Sequence, residues 1–217
     1  MKKILIIIFF LFIQTNVFSL EKQRIADNDQ WSEKISALNW KNRDQVEHST
    51  AIKKANANVL ILDEEIYLDN FKDINQYNWW SFGHEAEQDT VKLIKGEGYT
   101  IYLDYVDDGY INLDDWSNVN PKDLLKQMRE TGKINAEYLK SRNLEYVNQI
   151  DWIYEPTLNK ENKSVSNSYK VTWSSGLPIM ESKNLIFGKK EHLETASVMI
   201  DNNDSDLNKQ LKIPNEY

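Results

Sequence analysis

The 217-residue chain carries 34 acidic and 26 basic residues, a formal net charge of -8, and no cysteine. The acidic excess argues against nucleic acid as a partner, because phosphate backbones repel such a chain. The lack of cysteine excludes disulfides, thiolate metal sites and a cysteine nucleophile. Seven glycines, four prolines and 41% hydrophobic residues are typical of a globular protein.

The first nineteen residues have the features of an export signal. Met1–Lys3 is basic, Ile4–Ile13 is an uninterrupted apolar run, and Ser19 is a small residue at a suitable cleavage position. A membrane-spanning helix needs about 20 apolar residues, twice the length of this run. We therefore predict a signal peptide over residues 1–19, with an uncleaved anchor as the alternative. The expected location is the periplasm or cell envelope of a bacterium.

The segment 20–50 is polar, and it predicts a short helix around residues 30–38. We assign residues 51–213 to one domain. Within it, Val59–Leu62 indicates a buried strand, and Asp63 is a suitable N-cap for a helix that continues to about Gln76. Trp79 and Trp80 follow that helix.

Local signals are clearer in the rest of the chain. Two strands are predicted over residues 90–94 and 99–106, with glycines supplying the turn between them. Asn120-Pro121 is a typical helix start, and the helix should reach Leu139. The remaining elements are four strands and a short helix, predicted over residues 146–154, 169–174, 184–187, 194–200 and 204–211. This order indicates an α+β fold, a mainly antiparallel sheet with two or three helices packed on it, as a single domain.

Several segments, in order, resemble a family of bacterial proteins of unknown function (DUF2167) that are described as membrane-anchored. They are Val59–Ile74, Tyr102–Tyr105 with Asp108–Tyr110, Leu124–Met128, Ile150–Trp152 with Glu155-Pro156, Lys170–Trp173 and Leu185–Lys189. The resemblance implies an exported domain followed by a C-terminal membrane helix. The chain stops at Tyr217 where family members continue, so we expect either a truncated chain or a secreted variant, and the anchor is not carried over to it. The segment Trp79–Gly83 also departs from the family pattern, which has a Trp-Gly-Asn-like turn there.

A weak calcium candidate comprises Asp104, Asp108, Asn112 and Asp115, with Gly109 at the turn. Calcium loops place oxygen ligands around such a glycine. The third ligand position, however, is Val106, and the flanking segments have strand patterns. We therefore expect a hairpin turn with solvated acids, and no metal or other cofactor.

The surface candidates for contact with a ligand or partner are Trp79, Trp80 and His84. Exposed aromatic side chains mark binding surfaces, although packing against the sheet is the alternative. His84-Glu85 would suit a metallohydrolase only with a second histidine four residues after the first, where Gln88 stands. No catalytic motif therefore includes these residues.

These observations leave three functional hypotheses. The first is a non-enzymatic interaction or structural domain that contacts an envelope protein or a membrane component, and we favour it because no catalytic motif is present. The second is an envelope hydrolase that uses paired carboxylates from Asp104, Asp108 and Glu155. The third is a sugar- or peptide-binding module that uses exposed tryptophan. The sequence leaves the oligomeric state open.

The signal-peptide assignment predicts where the exported protein begins. Cleavage after Ser19 should give a mature chain that starts at Leu20, because the apolar core and the small residue before the cut are what signal peptidases require. N-terminal sequencing of protein recovered from the envelope fraction measures this directly. Recovery of exported chains that still begin at Met1 would instead favour an uncleaved anchor.

Overall fold

The structure, a computed structural model, describes residues 28–45, 49–82, 85–107, 113–141, 146–176, 178–188 and 190–200. The predicted signal peptide and the predicted helix at 204–211 lie outside these residues. Within them are four α-helices: α1 (Asn28–Ser36), α2 (Phe71–Phe82), α3 (Leu113–Ser117) and α4 (Pro121–Ser141). None of these four helices has the length and apolar character that would let it cross a membrane.

Ten strands are described. They are β1 (Lys41–Asn42), β2 (Ser49–Ile52), β3 (Ala57–Leu60), β4 (Ile66–Leu68), β5 (Thr90–Gly96), β6 (Tyr99–Val106), β7 (Val147–Asn159), β8 (Ser164–Trp173), β9 (Pro178–Phe187) and β10 (His192–Ile200). Eight of them form one antiparallel sheet in the order β1-β4-β5-β6-β10-β9-β8-β7, and β2 and β3 form a separate two-stranded sheet. The predicted α+β, mainly antiparallel, single-domain fold is therefore confirmed.

The helices pack on one face of the large sheet. Near one edge, Ile74 and Tyr77 of α2 join the core around Leu93 of β5. Near the other edge, Leu124 and Met128 of α4 pack in a second core. That core also contains Ile150 of β7 and Tyr169 of β8. The two helices thus cover the flanks of the face and leave its middle strands between them.

The two-stranded sheet covers part of the opposite face. Ile52 and Ile61, from β2 and the residue after β3, pack with Tyr67, Ile94 and Leu103. Lys92 lies in the same layer, 2% exposed, and its Nζ donates to the Thr50 hydroxyl at 3.0 Å. Burial lowers the pKa of Lys92, and the negative charge of Asp69 offsets only part of this decrease. The small sheet is therefore joined to the large one by apolar packing and by one buried lysine.

Two expectations for the segment 59–76 are wrong. Val59–Leu62 is not buried on both sides, because Leu60 and Leu62 are 55% and 54% exposed while Ile61 is buried. The helix does not follow Asp63 either. Residues 66–68 pair with β5 instead, and α2 begins after Asn70, whose side chain accepts the backbone N–H of Asp73. Strand pairing has outweighed the local capping signal at Asp63.

The predicted strands in the second half are too short. The loop expected over residues 159–168 is a tight turn between Asn159 and Ser164, and β9 begins six residues before the predicted start at Asn184. The hairpin at β5 and β6 matches its prediction closely, with Gly98 at a φ of 76° that favours glycine. The helix at Asn120-Pro121 also starts as predicted, with the Asn120 side chain accepting the N–H of Lys122.

The tryptophans allow a test of this architecture. Trp173 is 5% exposed, whereas Trp79 on α2 is 49% exposed. We expect Trp173→Ala to lower the free energy of unfolding by about 3 to 5 kcal/mol, since it opens a cavity in the core. Trp79→Ala should change it by less than about 1 kcal/mol. Urea unfolding of both variants measures the difference, and equal large losses would contradict the surface position of Trp79.

Candidate functional site

A group of polar side chains lies in the middle of the helix-covered face. Register places Asp104 of β6 opposite Glu194 of β10, and Lys183 of β9 opposite Asn167 of β8. Residues opposite one another in a sheet share a face. We call the set Thr90, Asp104, Asn167, Glu181, Lys183, His192 and Glu194 the central polar cluster. It lies between the apolar cores of α2 and α4.

Lys183 is the cation at the centre of the cluster. Its Nζ lies 3.1 Å from Glu194 Oε1 and 3.3 Å from Glu181 Oε1. Burial alone would lower the pKa of Lys183, but the two carboxylates outweigh burial and raise it. The lysine is therefore charged, and the interior holds an ion triad whose members neutralise one another in part.

Asp104 is the acid with the clearest change in protonation. It is 2% exposed and accepts a hydrogen bond of 2.6 Å from the Thr90 hydroxyl. Burial, with the nearby charge of Glu194 adding to it, raises the pKa of Asp104 to about 7, against the opposing effect of the Thr90 hydrogen bond. Asp104 therefore keeps a proton under conditions in which an ordinary carboxyl has lost it.

Asn167 and His192 complete the cluster. The Asn167 side chain is 1% exposed, and neither its amide nitrogen nor its amide oxygen has a hydrogen-bond partner among the described residues. His192 is 1% exposed, with Nε2 4.0 Å from Glu194 Oε2 and its ring 6.0 Å from that of Phe187. Phe187 in turn contacts Trp116 of α3, so a third helix covers this end of the cluster.

The cluster is enclosed. Except for Glu181, its members are each at most 4% exposed, and the Glu181 side chain reaches only 22%. General acid–base catalysis requires a group to come within hydrogen-bond reach of a substrate. The cluster is a buried hydrogen-bonded and ionic network in which Asp104 retains a proton. Among the described residues of the cluster, Glu181 is the member most exposed to solvent.

Of the carboxylates in the hydrolase hypothesis, Asp104 and Glu155 do not form a pair. Asp104 is on β6 and Glu155 is on β7, with β10, β9 and β8 between them. At the usual strand spacing this separates them by about 19 Å. Glu155 is also exposed, and Asp108 lies outside the described residues. The carboxylate that does lie beside Asp104 is Glu194.

The remaining candidates are scattered. Of the calcium set, Asp104 is buried and Asp115 is exposed on α3, while Asn112 lies outside the described residues, as Asp108 does. Of the contact set, Trp79 is half exposed, Trp80 packs against the α2 core, and His84 is not among the described residues. No group of three histidine, aspartate or glutamate side chains in the described chain is placed to hold a metal. A binding role for the tryptophans stays a prediction.

An open groove lies at the edge of the sheet, where α4 runs along β7. Arg129, Gly132 and Lys133 of α4 line one side, and residues 147–150 of β7 line the other. Arg129 donates from Nε to the Ile150 carbonyl at 2.8 Å and pairs through its NH2 group with Asp151. We call this the α4–β7 groove. Unlike the cluster, it presents charged side chains to solvent, since Arg129 and Lys133 are exposed.

The sequence contained partial signals for the central polar cluster. Glu181 and Lys183 interrupt an alternation of apolar residues, Ile179, Leu185 and Phe187, that predicts one buried strand face. His192 and Glu194 are also two residues apart, which places them on one face of β10. Because the predicted strands began only at Asn184 and Glu194, three of these four residues, Glu181, Lys183 and His192, lay outside them.

Comparison with known proteins gives one family match. The family model described as "Protein of unknown function (DUF2167)" matches residues 45–211. No curated protein matches. Among solved structures, the solution structure of cyanobacterial PsbP (CyanoP) from Synechocystis sp. PCC 6803 is similar, with a TM-score of 0.43 and 11% identity, over 70% of this chain and 78% of that one.

The buried acid predicts a pH-dependent stability. The folded state keeps the proton on Asp104 up to about pH 7, whereas the unfolded chain releases it near pH 4. The stabilisation from this group is therefore complete below pH 4 and is lost as pH rises to about 7. Asp104→Asn retains the acceptor for Thr90 but cannot titrate.

Urea unfolding of both proteins at several pH values isolates the effect. The stability of the wild type relative to Asp104→Asn should fall by about 3 kcal/mol between pH 5 and pH 8, since each pH unit below the folded pKa corresponds to about 1.4 kcal/mol. A difference that stays constant with pH would show that Asp104 titrates normally.

Proposed function

Because the chain belongs to the DUF2167 family of proteins of unknown function, we propose that it is an exported bacterial envelope protein that acts by binding another envelope protein rather than by catalysis. The observation that carries this proposal is the contrast between the two charged features. The groups suited to acid–base chemistry are enclosed and engaged with one another, whereas the α4–β7 groove and the sheet edge are open.

Export is supported by the sequence features of residues 1–19. Attachment to a membrane rests on the family resemblance alone, so the proposal does not require it. The net charge of -8 favours a soluble surface and disfavours nucleic acid as the partner. An envelope protein is therefore the class of partner that is consistent with both the expected location and the net charge of this chain.

A hydrolase is the second candidate, and the Asp104–Glu194 pair favours it. Two neighbouring carboxyl groups are a known acid–base device, and the pKa of Asp104 is raised to about 7. The low exposure of both side chains weighs against it. The Asp104→Asn variant distinguishes the two proposals. It should abolish hydrolysis by this pair, and it should leave binding at the sheet edge unchanged.

Cross-linking in living cells tests the binding proposal. We expect the tagged full-length protein to be released with the envelope fraction and to form a cross-linked product of defined mass with one envelope protein. Asp104→Asn should give the same product, since the cluster lies away from the surface. A protein that stays in the cytoplasm, or envelope-located protein that yields no specific product, would contradict the proposal.

A further inference from the structure

The edge of the large sheet at β7 is open to pairing. β7 ends the strand order, and within the described chain no strand lies on its outer side. An edge strand presents backbone N–H and C=O groups that can pair with an incoming strand. Register irregularities after Trp152 and the proline at position 156 interrupt the far half of β7. The regular segment is Gln149–Trp152, which lies next to the α4–β7 groove.

The helix beside this edge carries a basic stripe. The five cations Lys122, Lys126, Arg129, Lys133 and Lys140 are spaced by four, three, four and seven residues. These spacings are close to whole helical turns, so the five lie along one side of α4.

Contacts show which way the stripe faces. Arg129 reaches the Ile150 carbonyl and Asp151 of β7. Lys140 lies over the ring of Tyr146, 4.4 Å from its centroid, one residue before β7 begins. Lys133 lines the groove. The stripe therefore runs beside the open strand edge rather than on the far side of the helix.

We propose that the α4–β7 groove binds an extended, acidic segment of a partner protein, which adds to β7 as a further strand. This inference rests on the proposed binding function and names the partner's chemistry. In an extended segment alternate side chains share a side, so carboxylates at every second position would face Arg129 and Lys133. The backbone of the segment would pair with β7.

Arg129 has two roles in this scheme. Without a partner it caps the edge, because its Nε–H occupies the Ile150 carbonyl and Asp151 neutralises its charge. A partner carboxylate would compete with Asp151 for the same guanidinium and draw it from the carbonyl, which then accepts a backbone N–H of the added strand. In the absence of a partner, the ion pair of Arg129 with Asp151 thus replaces the ion pair that Arg129 would form with a partner carboxylate. Edge strands commonly need such protection against unwanted pairing.

Fluorescence polarisation with short labelled peptides tests the proposal on the full-length mature chain. The probe alternates glutamate with valine, and the matched peptide has glutamine in place of glutamate. We expect binding of the acidic peptide, weakened by salt, and much weaker binding of the glutamine peptide. Lys133→Glu should weaken binding at least about fivefold, while Lys54→Glu, the same charge change on an exposed lysine between β2 and β3, should not.

Asp151→Asn gives a result that loss of structure cannot imitate. Removal of the internal competitor should tighten binding of the acidic peptide, by about fivefold. Backbone pairing is tested in the peptide itself. N-methylation of the amides that face β7 should abolish binding, whereas methylation of the alternate amides should not.

Three results would overturn the inference. They are equal binding of the two peptides, equal effects of the two methylation patterns, and binding of anionic phosphatidylglycerol vesicles in preference to the peptide. Such a result would leave the broader proposal standing if cross-linking in cells still yields an envelope partner. Absence of that partner together with tight peptide binding would instead question the location of the protein.

Discussion

The ion triad of Lys183 with Glu181 and Glu194 constrains the middle of the sheet. Each charge loses solvation inside the protein, and the loss is tolerable only while the opposite charges stay in contact. Lys183 is 4% exposed and Glu194 is 3% exposed. Glu181 and Lys183 lie on the same strand, so a slip of one residue in β9 or β10 would put Lys183 and Glu194 on opposite faces of the sheet and break their contact. The register of β10 with β9 is thus held by charge as well as by apolar packing.

That register has consequences for the strands around it. Asp104 lies opposite Glu194. Burial, with the charge of Glu194 adding to it, raises the pKa of Asp104 to about 7. Asn167 lies opposite Lys183. The middle of the helix-covered face is consequently polar, while its two flanks are apolar where α2 and α4 pack. Each of the two helices therefore packs on an apolar flank, with the central polar cluster between them.

The sequence predicted elements well where the signals were local. Asn120-Pro121 supplies its own cap, and Gly98 suits the backbone turn that joins β5 and β6, so both were located correctly. Asp63 carried a comparable local signal but does not cap a helix, because pairing of Ile66–Leu68 with β5 depends on residues far along the chain. Glu181 and Lys183 were missed for a related reason. A charged residue ends an apolar pattern, although in this sheet Lys183 pairs with Glu194 on the neighbouring strand β10 and with Glu181 on its own strand.

The α4–β7 groove could not be predicted from the sequence either, because its meaning depends on the order of the strands. The spacing of the five cations on α4 is visible in the sequence, but it has no meaning until the strand beside it is known to be an edge. That depends on the sheet order, in which β10 lies between β6 and β9 and leaves β7 at the end. Once β7 is an edge, the Arg129–Asp151 pair is more than a surface ion pair of small energetic value. It occupies a backbone acceptor that an unprotected edge would offer to any strand, and it can be opened by a competing carboxylate. In the proposed scheme, protection of the edge and selection of an acidic partner both depend on the Arg129 side chain.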